Sequence, residues 1–223
     1  MNFVSQKGQD RWIIEDVFFS KRNGYFLDLA ASDGLSINNT ILLERAFGWS
    51  GIAIEADPTL ASQLFANRSC LCVPACIDEV AREVEYLRNG ELGGILATDT
   101  DNCPRIRSAL IEEKRAAGEV VNFETATLAD VLDAGKAPKL IDYFSFDVEG
   151  AETRILRSFP FDRYTFTTMT IERPTPELNE LLFRNGYIFV KNVSYDSFYV
   201  HNGFCGLNKL HRDPFEQIPP KDW

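Results

Sequence analysis

Acidic side chains recur at one kind of place in this sequence, in or directly after a short apolar run. Asp28 sits in Tyr25-Phe26-Leu27-Asp28-Leu29-Ala30, and Asp33-Gly34 follows it. Glu55 and Asp57 follow Ile52-Ala53-Ile54, Asp78 ends the run 71–77, Asp147 and Glu149 follow the run 140–146, and Glu172 follows 165–171. Carboxylates can accept hydrogen bonds from hydroxyls, balance a cation or carry a proton. In an open α/β sheet the ligand sits beyond the carboxyl ends of the strands, so these acids would share one crevice. Glu55 comes roughly 20 residues after the first glycine turn, the interval at which an acid grips the two hydroxyls of a ribose. A dinucleotide would also need a G-x-G-x-x-G turn to cradle its pyrophosphate. Asp28-Leu29-Ala30-Ala31-Ser32-Asp33-Gly34 is not such a turn. Its carboxylates repel phosphate and attract an ammonium or a sulfonium. A ligand with ribose, positive charge and no phosphate is expected, and S-adenosylmethionine fits that description better than a dinucleotide.

Transfer of a methyl group from a sulfonium needs the acceptor oxygen, the methyl and the sulfur in line, and an alcohol acceptor must also lose a proton. Asp147 is the first candidate for the reacting centre, with Glu149, Glu172 and His201 as further catalytic candidates. Glu149 and Glu152 also suit a role at the start of the next helix. Glu172 could instead pair with Arg173, and His201 could be an exposed strand-end residue. Asp147, Glu172 and His201 could together hold Mg2+ or Mn2+, although nothing in the spacing demands a metal. Asp78 is placed to accept from an adenine amino group.

The elements that must carry these residues alternate. Runs rich in aromatic and β-branched residues at 25–30, 51–55, 71–77, 140–146 and 165–171 predict strands, and segments of helical period lie between them. Asn38-Asn39, Asp57-Pro58 and Gly48 supply helix starts and a stop. Runs at 187–190 and 197–201 predict a terminal hairpin. Between 83 and 118 the alternation fails: a hairpin around Asn89-Gly90 and a charged helical stretch over 105–115 read as an insertion that could cover the acceptor. The expectation is one α/β domain over 1–223.

Composition narrows the classes. With 45% apolar and 25% charged residues the chain is globular in kind. A net charge of −10 disfavours nucleic acid, so a small-molecule or glycan acceptor is the expected partner. No apolar run approaches the roughly 18–20 residues a membrane helix needs, and the first residues lack a secretory core, which predicts a cytoplasmic protein without a membrane partner. The five cysteines have no zinc spacing, and Cys70, Cys72 and Cys76 share one parity, as small buried residues on a strand would.

Several strings together resemble one family. Ser5-Gln6-Lys7-Gly8-Gln9-Asp10, Gly24 through Gly34, Asn39-Thr40, Gly48-Trp49-Ser50-Gly51, Ile54-Glu55-Ala56-Asp57-Pro58, Ser145-Phe146-Asp147-Val148-Glu149-Gly150 and Ile171-Glu172-Arg173 are similar, in order, to the FkbM family of S-adenosylmethionine-dependent methyltransferases. The likeness covers about 5–187. It implies a Rossmann-like class I methyltransferase fold, with a mostly parallel seven-stranded sheet, helices on both faces and a terminal antiparallel hairpin. It also implies methylation of a hydroxyl on a sugar, glycan or small secondary metabolite. Cofactor contacts would fall on Gln6, Gln9, Asp28, Ala30, Ser32, Asp33, Gly34, Asn39, Glu55, Ala56, Asp57, Asp78 and Asp147, with the segment around Gln6 and Gln9 folding over the cleft. One departure is Ala30, where the family commonly has glycine. A nicotinamide-dependent oxidoreductase or a non-catalytic binding module on the same sheet are the alternative readings.

Overall fold

The computed structural model describes residues 2–221. Eleven strands form among them: β1 Tyr25–Leu29, β2 Ser50–Glu55, β3 Leu71–Pro74, β4 Cys76–Ile77, β5 Glu83–Leu87, β6 Gly94–Ile95, β7 Val120–Ala126, β8 Leu140–Phe146, β9 Thr165–Glu172, β10 Tyr187–Val193 and β11 Asp196–His201. Seven of them make the main sheet in the order β10-β11-β9-β8-β1-β2-β3. All neighbours in it are parallel except β11, which runs antiparallel to both β9 and β10. This is the Rossmann-like arrangement the sequence led us to expect, terminal hairpin included.

Alternating side chains feed two cores. Leu27, Leu29, Ile52, Phe144 and Ile171 pack on one face with Leu132, Ile155, Leu156 and Leu182 from the helices Leu128–Ala134, Glu152–Arg157 and Pro176–Arg184. Phe26, Tyr143, Phe198 and Val200 pack on the other with Leu43 and Phe47 of helix Ile41–Phe47 and with Trp12, Ile13 and Val17. Those last three belong to a short helix, Gln9–Arg11, that continues as a π-helix over Trp12–Val17, an element the sequence reading did not contain. Local signals set the helix ends. Asp57 Oδ1 accepts from Thr59 N at 2.7 Å, and Pro58 opens helix Pro58–Asn67. Gly48, at φ 68°, ends the preceding helix in the left-handed region that favours glycine.

The run 71–77 is two strands rather than one. Pro74 has no N–H to continue the ladder, and the backbone turns away after Ala75 N donates to Glu55 O at 3.1 Å. Cys76–Ile77 then pairs with β7 in a second sheet of order β4-β7-β5-β6. Cys70 and Cys72 therefore stay beside the main sheet, while Cys76 packs with Tyr86 and Ile95 of the second. The hairpin foreseen around Asn89-Gly90 forms, with Tyr86 opposite Ile95, and the charged stretch is a helix over Ser108–Ala116. The sequence reading did not include β7, which pairs with β5 along five residues and completes the second sheet. No helix among the described residues is long and apolar enough to cross a membrane.

Candidate active site

The carboxyl ends of β1, β2, β8 and β9 open onto a cleft of about 390 Å³. Its floor is set by Asp28, which is buried and accepts from Thr40 Oγ1 at 2.7 Å and Asn38 Nδ2 at 3.0 Å. Behind that floor lies the buried guanidinium of Arg68, with Nε 2.7 Å from Glu44 and Nη1 3.8 Å from Asp28. A buried cation so enclosed must be paired, and these two acids pair it.

Glu55 ends β2 with both oxygens held by backbone: Oε1 accepts from Asp57 N at 2.8 Å and Oε2 from Ser32 N at 2.9 Å. Burial raises its carboxyl above the ordinary value, against the pull of those two N–H groups. The loop that presents the Ser32 amide has Ala30 at φ 65° and Ser32 at φ 52°. Such a conformation costs an L-residue about 1 kcal/mol. Beside Glu55, an apolar slot opens between Ala56, Ile77, Ile95 and Val148. Asn39 lines the opposite wall; its Nδ2 donates to Ser145 Oγ at 2.9 Å, and its buried Oδ1 has no donor.

At the far end of the cleft Asp147, Glu149 and Glu172 converge, each offering a carboxylate oxygen within 4.8 Å of the others. Asp147 is open to the cleft but ringed by protein. That loss of solvation, then the charges of Glu172, Glu149 and Glu152, raises its carboxyl well above the usual range. Glu149 is buried, which raises its carboxyl, while Lys221 draws it down from 3.0 Å. Behind them Glu152 is buried and pushed up to about 8, although it accepts from Val148 N at 2.9 Å. Asp196, on β11 opposite Glu172, is raised by burial to about 7. The three converging carboxylates could serve as oxygen ligands for a divalent cation. With Lys221 already balancing Glu149, they carry no metal assignment by themselves.

The sequence model of the methyltransferase FkbM domain matches residues 28–189, well over half of the chain. The chain belongs to the FkbM methyltransferase family. No curated protein matches it. Among solved structures, the METTL16 methyltransferase domain is 12% identical with a TM-score of 0.45, over 85% of this chain and 64% of that one. This chain thus spans just under two thirds of that domain. The precorrin-6y C5,15-methyltransferase of Geobacter metallireducens GS-15 is 12% identical with a TM-score of 0.41, over 89% and 92%. A methyltransferase from Pyrococcus furiosus is 14% identical with a TM-score of 0.39, over 86% and 81%.

Of the positions that the FkbM likeness and the strand ends singled out, the fold brings Gln6, Asp28, Ala30, Ser32, Asn39, Glu55, Asp147, Glu149 and Glu172 to the cleft, and Ala56 to the slot beside it. Others point elsewhere. Gln9 donates to Asp196 Oδ2 at 3.1 Å beneath the cleft. Asp33 closes its own turn by accepting from the Leu35 and Ser36 amides, both at 2.8 Å, and Gly34 packs toward Leu64. Asp57 caps its helix and pairs with Arg88 at 2.9 Å. Asp78 does not meet the cleft, because Arg82 at 2.7 Å and Arg154 at 2.9 Å bind its fully buried carboxylate. His201 is at the opposite end of the sheet: β11 is antiparallel, so its last residue lies beside Tyr187, the first of β10. The metal set that included His201 is excluded with it. Loop 90–93, within the insertion expected to cover the acceptor, lines the cleft, whereas Tyr86, Tyr195 and Lys221 were not among the expected site residues. Tyr195 could have been found as the turn residue of the terminal hairpin; Lys221, in an irregular stretch, gives no local signal.

Proposed function

We propose that the chain is an S-adenosylmethionine-dependent O-methyltransferase acting on a hydroxyl of a small acceptor, a sugar, glycan or secondary metabolite. The observation that carries this reading is the convergence of Asp147 and Glu172 at the end of the cleft that holds Glu55. The donor set fits the cofactor. Glu55 is a fixed, buried acceptor for ribose hydroxyls, the neighbouring slot is apolar as an adenine ring requires, and Asn39 Oδ1 is a buried acceptor that an ammonium N–H would satisfy. When bound, S-adenosylmethionine supplies an electrophilic methyl group on a cationic sulfur.

The chain's own residues supply position and proton transfer. Asp28 and Asn39 orient the charged end of the ligand against the β1 loop. Asp147 accepts the acceptor's hydroxyl proton, and its raised affinity for protons, arising from lost solvation and three neighbouring acids, makes it a stronger base than an exposed carboxylate. Glu172 stands beside Asp147, and its charge is one of those that raise the Asp147 carboxyl. The loop 90–93 of the second sheet bounds the acceptor side and limits its size. The protein's acidic balance favours small or glycan acceptors over nucleic acid.

Calorimetry with S-adenosylhomocysteine, with NADH as control, tests the cofactor. Micromolar binding of the first alone supports the reading, and its absence from a folded sample overturns it. Mass-detected methyl transfer across a panel of hydroxylated sugars then tests the reaction.

A further inference from the structure

The stretch after β11 returns across the sheet edge to the cleft. Asp213 N donates to Val190 O at 2.8 Å, Asn192 Nδ2 donates to Glu216 O at 2.8 Å, and Gln217 joins Asn179 at 2.9 Å and Pro174 O at 2.7 Å. Ile218 is buried, and Arg173 Nη1 reaches Pro219 O at 3.4 Å. This route delivers Lys221 to the wall of the cleft, where Nζ lies 3.0 Å from Glu149 Oε2 and 3.0 Å from Asp101 Oδ2.

The loop that Lys221 meets is under constraint. Glu149 has φ 53°, and Gly150 follows at φ 92° with room for no side chain, because a Cβ would stand 2.5 Å from Asp101 N. That amide donates to Glu149 O at 2.9 Å, so the second sheet's loop and the β8 loop are pressed backbone to backbone. Two carboxylates, Asp101 and Glu149, then face each other across the junction, with Asp147 and Glu172 beyond. Like charges at such separations repel, and one ammonium between them converts the repulsion into two charge-assisted hydrogen bonds.

We propose that Lys221 is a positioning residue of the active site: it fixes Glu149 beside Asp147 and clasps the second sheet's loop onto the β8 loop, forming the acceptor wall. This deepens the methyltransferase reading and rests on it for the name of the site. The clasp itself can be measured without any ligand.

The test compares the full chain with Lys221→Met, which keeps the stem and removes the charge, and Lys221→Arg, which keeps the charge. Hydrogen–deuterium exchange without ligand reads the Asp101 amide, and stopped-flow displacement reads S-adenosylhomocysteine release. The Met variant should exchange that amide roughly tenfold faster and release the ligand about fivefold faster, with a melting temperature within about 2 °C of the parent. The Arg variant should lie within about twofold of the parent in both. A Met variant with the parent's exchange rate at Asp101 overturns the proposal, as does an Arg variant that exchanges like Met. Failure of the parent to bind S-adenosylhomocysteine would sink the cofactor reading, while the exchange data still decide the clasp.

Discussion

At the carboxyl ends of β1, β2, β8 and β9 the cleft gathers Asp28, Glu55, Asp147, Glu149 and Glu172, whereas the opposite end of β8 and β9 borders a groove of about 660 Å³ carrying Lys21, Lys139, Arg163 and His201. Acids occur in both. In the groove Asp142 is matched by Lys21 at 2.6 Å, and Arg163 is bound to Asp133. In the cleft five carboxylates share Lys221, Arg173 and the buried Arg68, and burial with mutual repulsion raises Asp147 and Glu149. A parallel sheet makes its two ends chemically different, because successive strand ends and their following loops accumulate on one side. One reversed strand is enough to send a residue to the wrong side, as β11 does with His201.

The contrast can be tested by substitutions at its two ends. Asp147→Asn should lower methyl transfer by roughly 10²–10⁴-fold with S-adenosylhomocysteine affinity held within about twofold, while His201→Ala should change the rate by less than about twofold. Equal losses from both variants would erase the distinction. The rate should also rise with pH until Asp147 is ionised, with its midpoint well above that of an exposed carboxylate. Glu55→Ala should weaken S-adenosylhomocysteine binding by about 10–100-fold, the worth of hydrogen bonds to a charged acceptor, as read by calorimetry.

Smaller effects concern stability. Glu152 has an ordinary value of 4.5 and is raised in the fold to about 8, so the folded state holds the proton more tightly than the unfolded one. The stability this provides is complete below pH 4.5 and is lost as pH climbs to 8. Glu152→Gln keeps an acceptor for Val148 N without the titration, so melting curves should show it gaining on the parent by roughly 2–5 °C between those limits. Last, Ala30→Gly should raise the melting temperature by about 1–2 °C, because glycine takes φ 65° without the clash of a Cβ.

Much of the fold was legible in the sequence. The strand 140–146 matches β8, and Asp57-Pro58, Gly48 and the terminal hairpin lie where local chemistry placed them. Long-range pairing was the harder part. Nothing within 71–77 announces that Cys76–Ile77 will leave the main sheet for β7, and Asp78 looks like any strand-end acid until Arg154, 76 residues later, claims it. The cleft acids at Glu55, Asp147 and Glu172 were readable because strand ends are local events. Lys221 was not, since its position depends on a chain path pinned by Asn192, Asn179 and Pro174 rather than by its neighbours.

The break at Ala75 divides the chain's responsibilities. Residues 76–126 build the second sheet as a nearly closed module, entering at Cys76 and leaving where Thr127 caps the next helix. Its side-chain ties to the rest include Arg88 with Asp57, Asp78 with Arg154 and Asp101 with Lys221. A replacement module that preserves those handholds could be grafted in without disturbing Glu55 or Asp147. For an engineer, the segment is a cassette with two conditions attached: its loop 90–93 can be varied along the cleft, but Ile77 and Ile95 must stay, because they also wall the apolar slot beside Glu55.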